Sequence, residues 1–246
     1  MKNTIPHPKT FLFNSPSHLE EVVPSIGFPL IIKPRNGPGG GGITKVENIE
    51  DLHSWYSKLD RLEDQIIQPY ISGYDIDCSV LCIKGKIIAS TIQKSLKYES
   101  DNLWPYGLEF QQNDEIDTIV KKVVELFKWS GVVHIDLRFD EVEKKIKLIE
   151  MNPRFWASVE GSIFAGVNFP YLSCLIGLKR ELPPLKLANK VVFRTGPAIK
   201  ATLTRFLNKS KGLYYDNTYL KFIVKDPIPN FAKVLSRYFN KLKIYK

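Results

Sequence analysis

Apolar and polar positions alternate along Gly131-Val132-Val133-His134-Ile135-Asp136-Leu137, and the period of two predicts a strand. A second apolar, β-branched run, Ile146 to Ile149, leads directly into Glu150, Met151 and Asn152, and Pro153 stops it. Alternation places His134, Asp136 and Arg138 on one face of the first strand, and Glu150 and Asn152 on one face of the second. The turn-rich stretch from Asp140 to Lys145 makes the two an antiparallel pair. Upstream, the pattern predicts a strand over 10–13, a helix over 17–26 capped by Ser15 or Ser17, and a strand over 28–33. A strand over 43–46, a helix over 49–59 and a strand over 65–70 follow. Downstream it predicts antiparallel strands over 76–83 and 86–93, a helix near 114–129, the two strands above, and a helix from about 168 to 177.

These elements group as a small α+β lobe over residues 1–70 and a larger one over 71–178, with a basic extension over 179–246. The chemistry concentrates at the strand ends. Asp136, Glu150 and Asn152 offer hard oxygen ligands of the type Mg²⁺ prefers. Arg154 follows, suited to bidentate contact with phosphate or carboxylate. A hairpin with exposed charges satisfies the same spacing. The apolar strand Phe28-Pro29-Leu30-Ile31-Ile32-Lys33-Pro34 ends in a lysine and enters the loop Arg35-Asn36-Gly37-Pro38-Gly39-Gly40-Gly41-Gly42-Ile43. Four glycines without Cβ atoms let backbone N–H groups close around phosphate oxygens, although a flexible hairpin tip has the same composition. No Lys-Ser/Thr pair follows, so this is not the GxxxxGK[ST] loop. The third feature is Ile66-Ile67-Gln68-Pro69-Tyr70-Ile71-Ser72-Gly73-Tyr74-Asp75, a strand running into a linker with an acid after its glycine.

Taken in order, IIKP, the glycine run, QPYI-G, GVVHIDLRF and LIEMNPRF resemble the ATP-grasp superfamily over roughly residues 5–178. The segment Asn152-Pro153-Arg154-Phe155-Trp156-Ala157-Ser158-Val159, with Ala165-Gly166-Val167-Asn168-Phe169-Pro170-Tyr171, is most similar to a bacterial subgroup. Its members are described as carbamoyl-phosphate-synthetase-like or carboxylate–amine ligases, often beside cell-surface polysaccharide genes. The resemblance implies two α+β lobes with ATP between them. It also implies Mg²⁺, or Mn²⁺ in its place, and a carboxylate activated as an acyl phosphate for attack by an amine or thiol, in polysaccharide or secondary-metabolite synthesis. Carried over residue by residue, Lys33 contacts the α- and β-phosphates, and Gly39, Gly40, Gly41 and Gly42 cover the β- and γ-phosphates. Gln68, Tyr70 and Ile71 line the adenine, through the Gln68 carbonyl and the Ile71 N–H. Gln68 stands where the family often has Glu. Asp75 binds the ribose hydroxyls, with Asp77 the competing acid. Asp136, Glu150 and Asn152 hold the metal ions. Arg154 steadies the transferring phosphoryl group, with Lys94 a second candidate that reads equally as a surface lysine. No Ser-His-Asp or Cys-His nucleophile is evident, and His134 reads as a polar residue supporting the site.

At 246 residues and 43% hydrophobic content the chain can bury a large core. No run reaches the length of a membrane-spanning helix, and the N-terminus has no apolar signal region, so a cytoplasmic enzyme is expected. Cys78, Cys82 and Cys174 lack metal-ligand spacing, and the first two read as reduced core residues. Family members usually carry a further N-terminal domain before the small lobe, here missing or reduced. That leaves as alternatives a ligase, a homo-oligomer, or a non-catalytic ATP-binding subunit whose partner supplies that domain.

From Asn189 onward there are thirteen basic residues and two acids, a net +11 against +9 for the whole chain. Phe231, Val234, Leu235, Tyr238, Phe239 and Leu242 repeat with helical spacing. A docked helix with solvated lysines and a membrane-surface helix both fit this pattern. Nucleic acid is not an expected partner, because no base-reading motif accompanies the charge.

Overall fold

The computed structural model describes residues 5–13, 22–35, 41–58, 65–96, 105–194 and 217–228. They fall into two units, one from Met1–Asp75 and Asp136–Glu150, the other from Ile76–Ile135 and Met151–Lys246. In the first, β1 (Phe11–Phe13), β2 (Leu30–Pro34), β3 (Thr44–Val46) and β4 (Gln65–Pro69) form an antiparallel sheet ordered β1-β4-β2-β3. Alternation sets its inner face: Leu30 and Ile32 of β2 are fully buried with Phe13, Val46, Leu52 and Ile67. Lys33 falls on the opposite face of β2 from Ile32, which places its ammonium away from that core. Helix α1 (Ile49–Tyr56) covers the core with Leu52, and the Asn48 side chain caps it by accepting from the Asp51 N–H at 2.8 Å. Residues 22–26 are helical; the rest of the helix expected over 17–26 lies outside the described residues.

The second sheet has six strands in the order β10-β7-β6-β5-β8-β9. These are β5 (Gly73–Ile83), β6 (Lys86–Leu96), β7 (Gly107–Gln111), β8 (Gly131–Asp140), β9 (Lys145–Asn152) and β10 (Lys190–Phe193). Its helices are α2 (Asp114–Leu126), α3 (Val159–Phe164), α4 (Phe169–Gly177) and α5 (Leu220–Lys225). Helix α2 buries Ile116, Ile119, Val120, Val123 and Val124, an i, i+3, i+4, i+7, i+8 stripe, and Asn113 caps it through the Ile116 N–H. Two apolar clusters pack the second unit. One gathers Leu81, Ala89, Trp156, Val167, Phe169 and Leu172. The other gathers Leu108, Phe110, Phe164, Ala165 and Val192, with Tyr219 and Phe222 against it.

The expected strand pair of 131–137 and 146–149 is present as β8 and β9, each longer than the apolar run alone suggests. The extension has a local cause. The Asp140 carboxylate accepts the Val142 and Glu143 N–H groups at 2.9 and 3.0 Å, which fixes the turn. Lys147 on β9 binds back to Asp140 at 2.8 Å and to Glu143 at 2.7 Å. Four elements were not expected from the sequence: β7, α3, β10 and α5. β10 is a short edge strand whose partner β7 is remote in sequence, and β7 lies between β10 and β6. Val191 pairs with Glu109, and Val192 with Leu108. Among the described residues no helix is long and apolar enough to cross a membrane. The tail helix expected over 231–242 lies outside the described residues.

The Asp140 turn gives a first test. Asp140→Ala removes the Oδ1 that accepts two N–H groups and leaves Lys147, itself almost buried, with Glu143 as its remaining partner. The expected loss is about 2 kcal/mol of unfolding free energy, read by urea denaturation; an unchanged midpoint contradicts the turn's role.

Candidate nucleotide and metal site

Within the first unit the structure brings together Lys33, Asp136 and Glu150. Burial pulls the Lys33 ammonium below its ordinary pKa, and the carboxylates of Glu150 and then Asp136 oppose that by stabilising the cation. Lys33 reaches this position because β2 alternation turns it away from the core. Asp136 does so because Ile135 and Leu137 on either side of it are buried on the opposite face of β8. Two carboxylates offer hard oxygen atoms of the type a divalent cation takes, and an ammonium beside them can pair with an anionic group.

The segment expected to hold the adenosine is built around a residue the sequence underweighted. Arg138 lies on the Asp136 face of β8, two residues on. Its Nε donates to the Ile71 carbonyl at 2.8 Å, its Nη2 to the Gly73 carbonyl at 2.8 Å, and its Nη1 to the Asp75 carboxylate. One planar guanidinium therefore fixes the whole stretch from Ile71 to Asp75. Gly73 is required there: its φ is +144°, and a Cβ would meet the Phe139 carbonyl oxygen at 1.9 Å. Asp75, the expected ribose acid, thus has an ion-pair partner. Arg138 shares a strand face with Asp136, which the alternation showed; its partners 63 to 67 residues away it did not. Lys45 stands over the Tyr70 ring at 4.3 Å, and Arg138 at 5.7 Å. Gln68 is buried and donates from Nε2 to Thr10 Oγ1 at 2.8 Å, and its main chain stands opposite Ile31 in the β2–β4 ladder.

Of the glycine loop, Gly39 and Gly40 lie outside the described residues. Gly41 and Gly42 are exposed in a turn, Gly42 with φ +78°. A Cβ on Gly42 would sit 2.9 Å from Pro34 Cγ, so Gly42 lies close against the end of β2.

In the second unit Asn152 and Arg154 meet each other. Arg154 Nη2 donates to Asn152 Oδ1 at 3.3 Å, and Nη1 to the Phe155 carbonyl at 3.3 Å. Lys94 is partly buried on β6, directly opposite Glu109 of β7. Opposed residues in an antiparallel pair share a face, so a carboxylate accompanies it. His134 stacks on Trp156, with centroids 5.3 Å apart and planes at 12°. Burial, then the nearby Arg154 charge, lowers its pKa to about 4, so the imidazole is neutral at physiological pH. Its Nδ1 lies 2.9 Å from Ser79 Oγ. A Ser–His pair is therefore present where none was evident in sequence, because 55 residues separate its members. Ser79 is fully buried, so its hydroxyl reaches no substrate and the pair is not a nucleophile.

In the first unit a β-strand lysine, acted on by two carboxylates, stands before a glycine turn. The ATP-grasp domain family matches residues 2–158, and the chain belongs to that family. It is similar to D-alanine–D-alanine ligases, at 26% identity over 147 residues for the Azobacteroides pseudotrichonymphae enzyme. That stretch is 54% of this chain and 45% of the enzyme. The Phocaeicola vulgatus enzyme is 27% identical over 146 residues, 54% of this chain and 45% of its own. Among solved structures, the biotin carboxylase domain of Hydrogenobacter thermophilus 2-oxoglutarate carboxylase, in complex with MgADP, ADP and bicarbonate, matches with a TM-score of 0.64. The identity is 18%, over 77% of this chain and 47% of that one. Carboxyaminoimidazole ribonucleotide synthase from Aspergillus clavatus, complexed with ATP, gives 0.63 at 18% identity, over 77% of this chain and 52% of its own. The chain spans about half the length of these relatives, and the structures establish the ATP-grasp fold.

Arg138 supplies the test of this geometry. In Arg138→Lys one ammonium cannot donate to three acceptors in the same fork. The expected cost is about 1–3 kcal/mol of stability, together with faster amide exchange over residues 71–75. Wild-type exchange there would show that the clamp does not order the segment.

Proposed function

We propose that the chain is an ATP- and Mg²⁺-dependent ligase that activates a carboxylate as an acyl phosphate for attack by an amine or thiol. The observation that carries this reading is the coupling of Lys33 to Glu150 and Asp136 within an ATP-grasp fold. Lys33 binds the α- and β-phosphates, and its partial burial strengthens that contact, since a poorly solvated ammonium has less hydration to lose. Gly41 and Gly42, with Gly39 and Gly40 before them, offer N–H groups to the outer phosphates. Gln68, Tyr70 and Ile71 hold the adenine, and Asp75, fixed by Arg138, meets the ribose. Asp136, Glu150 and Asn152 would hold the metal ion, which would supply positive charge to offset that of the outer phosphates. For Asn152 to do so its amide oxygen exchanges the Arg154 contact for the metal. Arg154, so released, is placed to bind the transferring phosphoryl group, and Lys94 is the second cation available for it. The substrate carboxylate attacks the γ-phosphorus, ADP leaves, and the amine then displaces phosphate from the acyl group. In-line positioning and charge neutralisation do this work, and no protein nucleophile is needed.

Calorimetry with ATP plus and minus Mg²⁺, followed by ADP release across a panel of small carboxylates and amines, tests the reading. Lys33→Met is expected to weaken MgATP binding at least tenfold, about 1.4 kcal/mol. Glu150→Gln is expected to abolish the Mg²⁺ dependence while leaving thermal stability near wild type. A folded protein that ignores millimolar MgATP contradicts the proposal. Tight MgATP binding with no ADP release from any pair would favour a nucleotide-binding subunit instead.

A further inference from the structure

A row of polar side chains runs through the interior of the second unit, and the phosphate chemistry above does not use it. Ser162 of α3 lies 3.3 Å from Thr91 Oγ1 on β6. Thr91 donates to Gln93 Oε1 at 3.4 Å. Gln93 donates from Nε2 to Ser79 Oγ on β5 at 3.1 Å. Ser79 Oγ ends the row 2.9 Å from His134 Nδ1 on β8. All four relay residues are buried, Ser79 and Ser162 completely. Sheet interiors are usually apolar, and each of these groups would be costly to bury without partners.

The row fixes a direction. Ser79 accepts from Gln93, and its own hydroxyl proton needs an acceptor. Among the described residues His134 Nδ1 is the acceptor within reach. A ring nitrogen that accepts a hydrogen bond carries no proton, so the single proton of the neutral imidazole sits on Nε2. The ring is also held in orientation. Trp156 stacks on it, and Trp156 is packed edge-on against Phe169 at 4.9 Å and 77°. The Asp77 carboxylate lies within 4.8 Å of a His134 ring nitrogen.

We propose that His134 is a positioning residue locked as the Nε2–H tautomer, donating to a carboxylate or phosphate oxygen on its strand face and not ligating the metal ion. The inference rests on the ligase reading for the identity of that metal and anion. Residue types alone suggest otherwise, since a histidine beside aspartates is a common transition-metal motif. Both nitrogens are committed, however. Nδ1 has its lone pair in the Ser79 bond, and Nε2 bears the proton. A metal held by Asp136 on the same strand face then has only oxygen ligands, which favours Mg²⁺ over Zn²⁺.

The test is a long-range proton–nitrogen correlation on the full chain labelled with ¹⁵N-histidine. The four histidines are separable, and His134 is assigned by the signal lost in His134→Gln. The expected result is a single Nε2–H pattern for His134 that keeps its nitrogen positions on saturation with Mg²⁺ or with stoichiometric Zn²⁺. Ser79→Ala removes the donor to Nδ1, and a mixture of both tautomers is expected. An Nδ1–H pattern in the wild type, or a metal-induced shift at His134 Nε2, overturns the proposal. A pure Nε2–H pattern surviving in Ser79→Ala overturns the relay. Should Ser79→Ala fail to fold, the wild-type pattern and its response to metal decide alone. MgATP calorimetry on the same sample separates the two readings. Lost nucleotide binding with the Nε2–H pattern intact counts against the ligase alone. The wrong tautomer with binding intact counts against this inference alone.

Discussion

The period-two alternation of β8 is the constraint on which the rest of the structure depends. Val133, Ile135 and Leu137 are essentially fully buried on one face. Each contributes about 1.5–3 kcal/mol on burial, so the strand cannot slip by one residue without turning this face to water. The opposite face is thereby fixed as His134, Asp136 and Arg138, and each takes a different task. Arg138 orders the Ile71–Asp75 segment through three acceptors. Asp136 acts on the Lys33 ammonium. His134 closes the buried polar row through Ser79. One apolar pattern on one strand thus sets three polar positions that local sequence would leave undetermined.

Much of this was legible in the chain because the signals are local. The β8 and β9 alternation, the helix near 114–129, and the Lys33 strand all follow from neighbours within a few residues. What escaped depends on pairing at long range. β10 carries little pattern of its own, and it exists because it completes the hydrogen bonding of β7, which β6 holds on the other side. The Arg138 clamp and the Ser79–His134 bond join residues more than fifty apart. No spacing rule finds such contacts, since only the sheet order β6-β5-β8 brings their strands together. The same reason hid the partner of Asp75, whose side chain the sequence assigned to ribose alone.

Membership in the ATP-grasp family and the placement of Lys33 reinforce each other without being the same fact. The family match covers residues 2–158. The electrostatic coupling is a property of this chain's own side chains. A half-buried ammonium is unfavourable without anions nearby, and Glu150 and Asp136 compensate it in the structure described. On the proposed reading, Lys33 would pair with phosphate and the two carboxylates would hold a divalent cation, so the charges now set against each other would each gain a partner.

The most direct test is a crystal structure with Mn²⁺ and ADP, with the metal located by its anomalous scattering. The account predicts an anomalous peak bonded to carboxylate oxygens of Asp136 and Glu150, and the Lys33 ammonium on the nucleotide phosphates. A nucleotide bound with manganese elsewhere, or with Lys33 still turned to the two carboxylates and away from phosphate, would contradict it.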